Sequence, residues 1–129
     1  MISWFERKNA LAWLAVFAIA GAMFYISSIE FKNSSIGGPG NINAVLYHLI
    51  SYFSLSLFLC IAVVKGERKG YFMLVLISIV MAFLYGVTDE IHQYFVPGRS
   101  MAVSDLMINL AGITLASLTY AIRIELKKH

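Results

Sequence analysis

Four apolar runs divide the chain, at residues 10–26, 44–64, 71–87 and 106–122. None alternates apolar with polar positions, and each is too long for a buried strand, so each predicts a helix. A helix over the 17 residues of the third or the fourth run spans about 26 Å at roughly 1.5 Å per residue. That falls slightly short of a hydrocarbon core of about 30 Å. Both runs therefore borrow neighbouring residues, which draws Asp89, Glu90 and Asp105 to a membrane surface or a little below it. The predicted helices cover about residues 10–27, 44–64, 71–93 and 104–122.

The joints are short and carry turn chemistry. Residues 30–43 hold Ser-Ser, Gly-Gly-Pro-Gly and three Asn, residues that break helices or bond their own backbone. Asn43 is the predicted N-cap of the second helix. Residues 65–70, KGERKG, form a tight basic turn. The last joint lies within TDEIHQYFVPGRSMAVSDLMIN, residues 88–109, the densest polar stretch in the chain. Pro97-Gly98 signals a turn there and places Arg99 at its tip. Charges near hydrocarbon are expensive unless paired, so Arg99 is expected to pair with Glu90 or Asp105.

Helical phase adds two stripes. Ser78, Ala82, Gly86 and Glu90 recur at i+4 on the third helix. Asp105, Asn109, Gly112 and Ala116 recur at i+4, i+3 and i+4 on the fourth. Small residues allow close approach between membrane helices, and polar ones bond across. The two faces are expected to pack against each other and to bring Glu90 near Asp105 and Asn109.

Composition agrees with a membrane solution. Of the 129 residues 60% are hydrophobic and 13% charged, where soluble domains carry roughly 25% charged residues. The mean hydropathy is +0.77. The fold class is therefore all-α, a four-helix transmembrane bundle formed as a single domain over residues 1–129. The first run follows Arg7 and Lys8 like a signal peptide, but it exceeds the usual apolar core of about 7–15 residues and three more runs follow, so it reads as a retained helix. Cys60 is alone in an apolar run and reads as packing.

Basic residues set the orientation. Arg7, Lys8, Lys65, Arg68, Lys69, Arg123, Lys127 and Lys128 fall on one side, eight of ten, and Lys32 and Arg99 on the other. Both termini and the KGERKG turn are expected in the cytoplasm of a multi-pass cell-membrane protein. The modest basic excess reflects this placement, and no nucleic-acid partner is expected.

Three predicted helix ends meet on the outer side. The second helix brings His48 and Tyr52. The third brings Glu90 and Gln93, with Asp89 and His92 at the rim and His92 exposed. The fourth brings Ser104, Asp105 and Asn109. Glu90, Asp105 and His48 are the candidate catalytic groups. Arg99, Gln93, Asn109, Ser104 and Tyr52 are the candidate ligand-binding groups. His48, Glu90, His92 and Asp105 offer nitrogen and oxygen donors for a metal, but they lack HExxH spacing and no metal ligand is assigned. Ser104, His48 and Asp105 assemble a triad only in the weak sense that most polar clusters do. No Walker loop or dinucleotide fingerprint is present, and no cofactor is expected.

DEIHQYFVPGRSMAVSDLMINLAG resembles the hallmark segment of the VanZ-like family of small membrane proteins. That pattern has Glu, Gln three residues on, a PGR turn, Asp, then Asn or Asp, then Gly. Glu90, Gln93, Pro97-Gly98-Arg99, Asp105, Asn109 and Gly112 match it. YHLISYFSLSLFL resembles its other recurring segment, with His48 and Tyr52 in place, although the Asp-Lys often found just before it is missing. The resemblance implies a protein acting on or binding a lipid-linked or cell-envelope component, in a family associated with teicoplanin resistance. Membrane lipids and a lipid-linked envelope precursor or lipoglycopeptide are the partners it implies. The alternative is a non-enzymatic membrane module whose polar cluster clasps helices together.

Overall fold

The computed structural model describes residues 1–30 and 42–127. Most of the expected first loop, with Lys32, lies outside the described residues, as does Lys128. Five helices order the rest: α1 Ile2–Arg7, α2 Asn9–Ser27, α3 Ile42–Val64, α4 Tyr71–Tyr94 and α5 Val103–Leu126. The last four are the expected spans, each long and apolar enough to cross a membrane. α4 and α5 run past their apolar cores and take in Asp89, Glu90 and Asp105. Asn43 lies inside α3.

α3 is the central helix. Half of its most apolar window is buried inside the protein, against 33% for α5 and 22% for α2 and α4. Leu14, Phe17, Phe72, Leu84, Leu115 and Ile122 point outward, an arrangement that suits a lipid surround. The helix directions follow from the cross-links. His48 meets Asn109 and Ser56 meets Ser117, both 61 positions apart, so α3 and α5 run parallel. Ser28 meets His92 and Ala20 meets Tyr85, at separations of 64 and 65, so α2 and α4 run parallel to each other. The bundle is thus up-and-down, with neighbours in sequence antiparallel.

Ser78, Ala82, Gly86 and Glu90 are all buried, as are Asn109, Gly112 and Ala116. The stripes pair α4 with α5, and these helices do touch. Yet the tightest approach of each small face is to α3. A Cβ on Gly112 would lie 2.6 Å from the Leu49 carbonyl oxygen and 3.0 Å from the Phe53 nitrogen. A Cβ on Gly86 would lie 3.2 Å from the Tyr52 ring. The reason is position: α3 packs against both α4 and α5 and receives a small face from each. Below Gly112 the α3–α5 seam is polar but small, with Ser56 Oγ 3.2 Å from Ser117 Oγ.

At the other end of this seam the polar start of the chain folds into α1 and buries Glu6. Glu6 Oε1 accepts from Tyr120 Oη at 2.8 Å and from Arg123 Nη1. Its Oε2 accepts from Arg123 Nη2 at 3.1 Å and Lys127 Nζ at 3.0 Å. Gly66 holds a φ of +73°, and a Cβ there would sit 2.9 Å from the Glu6 carboxyl. The start of the chain, the 65–70 turn and the end of α5 therefore share one face of the bundle. Burial alone would raise the Glu6 pKa, but bonds from Arg123, Tyr120 and Lys127 prevail and lower it from 4.5 to about 2.

Gly112→Ala should cost about 1–3 kcal/mol, because a backbone carbonyl cannot step aside as a side chain can. Gly86→Ala should cost less, since the Tyr52 ring gives by a few tenths of an ångström. Thermal unfolding in detergent separates the two, and equal losses would contradict the close α3–α5 contact.

A depressed carboxyl pKa stabilises the folded form above the unfolded pKa and loses that effect as pH falls through the folded one. The docking of α1 should therefore hold at neutral pH and weaken between about pH 4.5 and 2. Trp4 fluorescence in a Trp13→Phe background reports it. In Glu6→Gln that transition should be absent.

Candidate functional site

Three helices bring ionisable groups to the end opposite Glu6. α4 is helical through Tyr94, so adjacent Asp89 and Glu90 point about 100° apart. One therefore turns toward α3 and the other toward the start of α5. Both are buried, at 5% and 2% exposed.

Asp89 belongs to the interior rather than to the rim. Its Oδ2 accepts from Tyr52 Oη and from Gln93 Nε2, each at 3.2 Å. The Gln93 bond is the i+4 contact of one helix face, and the Tyr52 bond crosses from α3. Glu90 Oε2 accepts from the Ala102 backbone nitrogen at 3.2 Å. Ala102 is the N-cap of α5 and makes no side-chain cap bond, so a carboxylate from α4 fixes the entry to α5. Asp105 lies in the first turn of α5, where negative charge favours the helix dipole.

His48 is buried between α3 and α5. Its Nδ1 lies 2.8 Å from Asn109 Oδ1. A carbonyl oxygen only accepts, so Nδ1 carries the proton, and in the neutral ring Nε2 is the nitrogen with the lone pair. That Nε2 lies 3.7 Å from Asp105 Oδ2. His48, Glu90 and Asp105 each place one donor atom within 4.8 Å of the others. The three candidate catalytic groups are thus brought together, with Asn109 beside them and Tyr52 and Gln93 on the adjoining Asp89.

Two expectations are corrected, those for Arg99 and His92. Among the described residues no ion pair joins Arg99 to Glu90 or Asp105. Arg99 N bonds the Val96 carbonyl at 3.1 Å, closing a turn with Gly98 at φ +79°. The side chain then reaches back, and Nη1 donates to the Ile26 carbonyl at 3.2 Å. Ile26 is in the last turn of α2, where carbonyls lack helical partners and the dipole attracts cations. His92 is half-buried rather than exposed. It stacks on Phe24, with ring centroids 4.6 Å apart, and its Nε2 lies 3.0 Å from Ser28 Oγ. Ser104 is exposed and reaches its own neighbour, Asp105 Oδ1, at 3.3 Å.

Not every polar atom of the cluster is satisfied. Glu90 Oε1, Asp89 Oδ1 and Asn109 Nδ2 are buried with no hydrogen-bond partner. Buried polar groups in native proteins are nearly always bonded, and here three lie together.

The VanZ/LLP1 family model matches residues 5–124. The chain belongs to that family. The match covers nearly the whole chain and runs from α1 to the last turns of α5, so the bundle described above is the VanZ/LLP1 unit. No curated protein and no solved structure matches the chain. The family's hallmark residues in this sequence divide by place: Glu90, Asp105, Asn109 and His48 converge, Gln93 and Tyr52 hold Asp89, and Arg99 caps α2.

Asp89 was the site residue least legible in sequence. The available signal was its i+4 relation to Gln93, combined with Tyr52 one turn below His48 on α3.

Proposed function

We propose that this VanZ/LLP1 protein binds the polar head of a lipid-linked or other cell-envelope component at the extracytoplasmic surface. The observation that carries this reading is the unsatisfied polar edge of the cluster, above all Glu90 Oε1. A cluster serving only to join helices would be expected to use up its own donors and acceptors. Glu90, Asp105 and His48 would orient a ligand or move a proton, and Asn109 would hold the His48 tautomer. Arg99, on the α4–α5 link, would leave the Ile26 carbonyl to meet an anionic group, since its planar fork suits phosphate.

The second reading, an interhelical clasp, has its own support. The bonds His48–Asn109, Tyr52–Asp89 and Glu90–Ala102 each tie one helix to another or to its entry. Glu90→Gln separates the two, because the amide oxygen can still accept from Ala102. For a ligand site, expression and thermal midpoint stay within a few degrees of wild type while co-purified lipid, read by mass spectrometry, is lost. For a clasp, the midpoint falls and the lipid content does not change selectively.

The basic distribution supports a cytoplasmic location for the face that carries α1, the 65–70 turn and the end of α5. A reporter inserted after Lys69, in the exposed turn, should give a cytoplasmic signal. An extracytoplasmic signal there would move the cluster to the inner surface and remove the envelope reading.

A further inference from the structure

We propose that His48, Glu90 and Asp105 form a binding site for one divalent transition-metal cation of the Zn²⁺ type. Four observations converge on it.

The donor set is complete in kind: one imidazole nitrogen and two carboxylates, a set that Zn²⁺ accepts while leaving a position open. The tautomer is right as well. Nδ1 donates to Asn109 Oδ1 at 2.8 Å, so in the neutral ring Nε2, on the side of Asp105, is the nitrogen left to ligate. Metal-bound histidines almost always donate their second nitrogen in this way.

The spacing favours a shared ion over a shared proton. His48 Nε2 and Asp105 Oδ2 are 3.7 Å apart, beyond the roughly 3.2 Å of a hydrogen bond. Two donors at about 2.0–2.2 Å from one ion, subtending 90–120°, lie about 2.8–3.8 Å apart. The third donor is within 4.8 Å and needs an inward shift of about 1 Å to join them. Glu90 supplies that reach, since Oε1 is buried and bonded to nothing while Oε2 is anchored on Ala102.

The charge also closes. A bound cation requires His48 neutral and both carboxylates ionised, a set that carries two negative charges. Uncompensated charge at a membrane boundary is costly. One divalent ion cancels it.

This inference does not rest on the envelope reading, and lipid retention and metal binding are read separately. The test uses the full chain in detergent, without a histidine tag, stripped by a chelator and washed. Zn²⁺ is titrated in competition with a chromophoric chelator, with the thermal midpoint followed in parallel. The wild-type chain should bind one Zn²⁺ with a Kd below about 1 µM and show a raised midpoint, as expected when a ligand binds only the folded form. His48→Ala, Glu90→Gln and Asp105→Asn should each weaken binding at least about tenfold, and His92→Ala should leave it unchanged. A folded wild-type chain that takes up neither Zn²⁺ nor Mn²⁺ below about 10 µM overturns the proposal. So does undiminished affinity in any of the three variants, or an equal loss in His92→Ala. The wild-type titration decides even where a variant fails to fold.

Discussion

The approach of α5 to the backbone of α3 at Gly112 sets the geometry of the rest. A methyl group there would lie 2.6 Å from a main-chain oxygen, so the contact exists only because position 112 has no side chain. In lipid, helices gain little from burying apolar surface, and close packing with a few hydrogen bonds must hold them together. The parallel seam supplies both. It sets His48 against Asn109 less than one turn above Gly112, and Ser56 against Ser117 below it. Move α5 outward by one methyl group and the imidazole loses the amide that fixes its tautomer.

That seam explains what the sequence could and could not disclose. Hydropathy and turn chemistry sufficed for α2 to α5, because length and apolarity alone decide what crosses a membrane. The i+4 stripes identified buried residues except at Asp105, which is half-buried, since a small, polar-tipped face has no reason to meet lipid. They brought Glu90 to Asp105 as expected, but did not show that α3 receives the tightest approach of each face. A stripe states that a face is covered, and α3 carries too few small residues in phase to announce that it receives two such faces. Asp89 was hidden for a related reason. Next to Glu90 on one helix, it looks as if it must turn outward when Glu90 turns inward. With α3 on one side and α5 on the other, both directions are inward. Arg99 illustrates competition: two carboxylates were within plausible reach, but the type of turn at Pro97-Gly98 aimed the side chain at the open end of α2.

The two ends of the bundle treat a buried carboxylate differently. Glu6 was nearly invisible in sequence, a single acid in a short polar start, because its partners Tyr120 and Arg123 lie more than 110 positions away. The structure surrounds it with a hydroxyl, a forked guanidinium and an ammonium, and both oxygens are engaged. Such a site is finished: its donors are used, and its charge is more than balanced. It behaves as a clasp that joins the first residues of the chain to the last helix.

Glu90 is buried more deeply, at 2% against 8% exposed, and receives far less. One oxygen takes a single backbone bond and the other takes none, with Asp105, Asp89 and His48 nearby. Among the described residues the Arg and Lys ion pairs to a buried acid fall at the Glu6 end. The nearest arginine in sequence, Arg99, donates to a helix end instead. Burial of a carboxyl is unfavourable for folding unless it gains a proton or a partner, and the proposed cation would be such a partner. That contrast, more than any single distance, is what the binding reading of the cluster around Glu90 rests on.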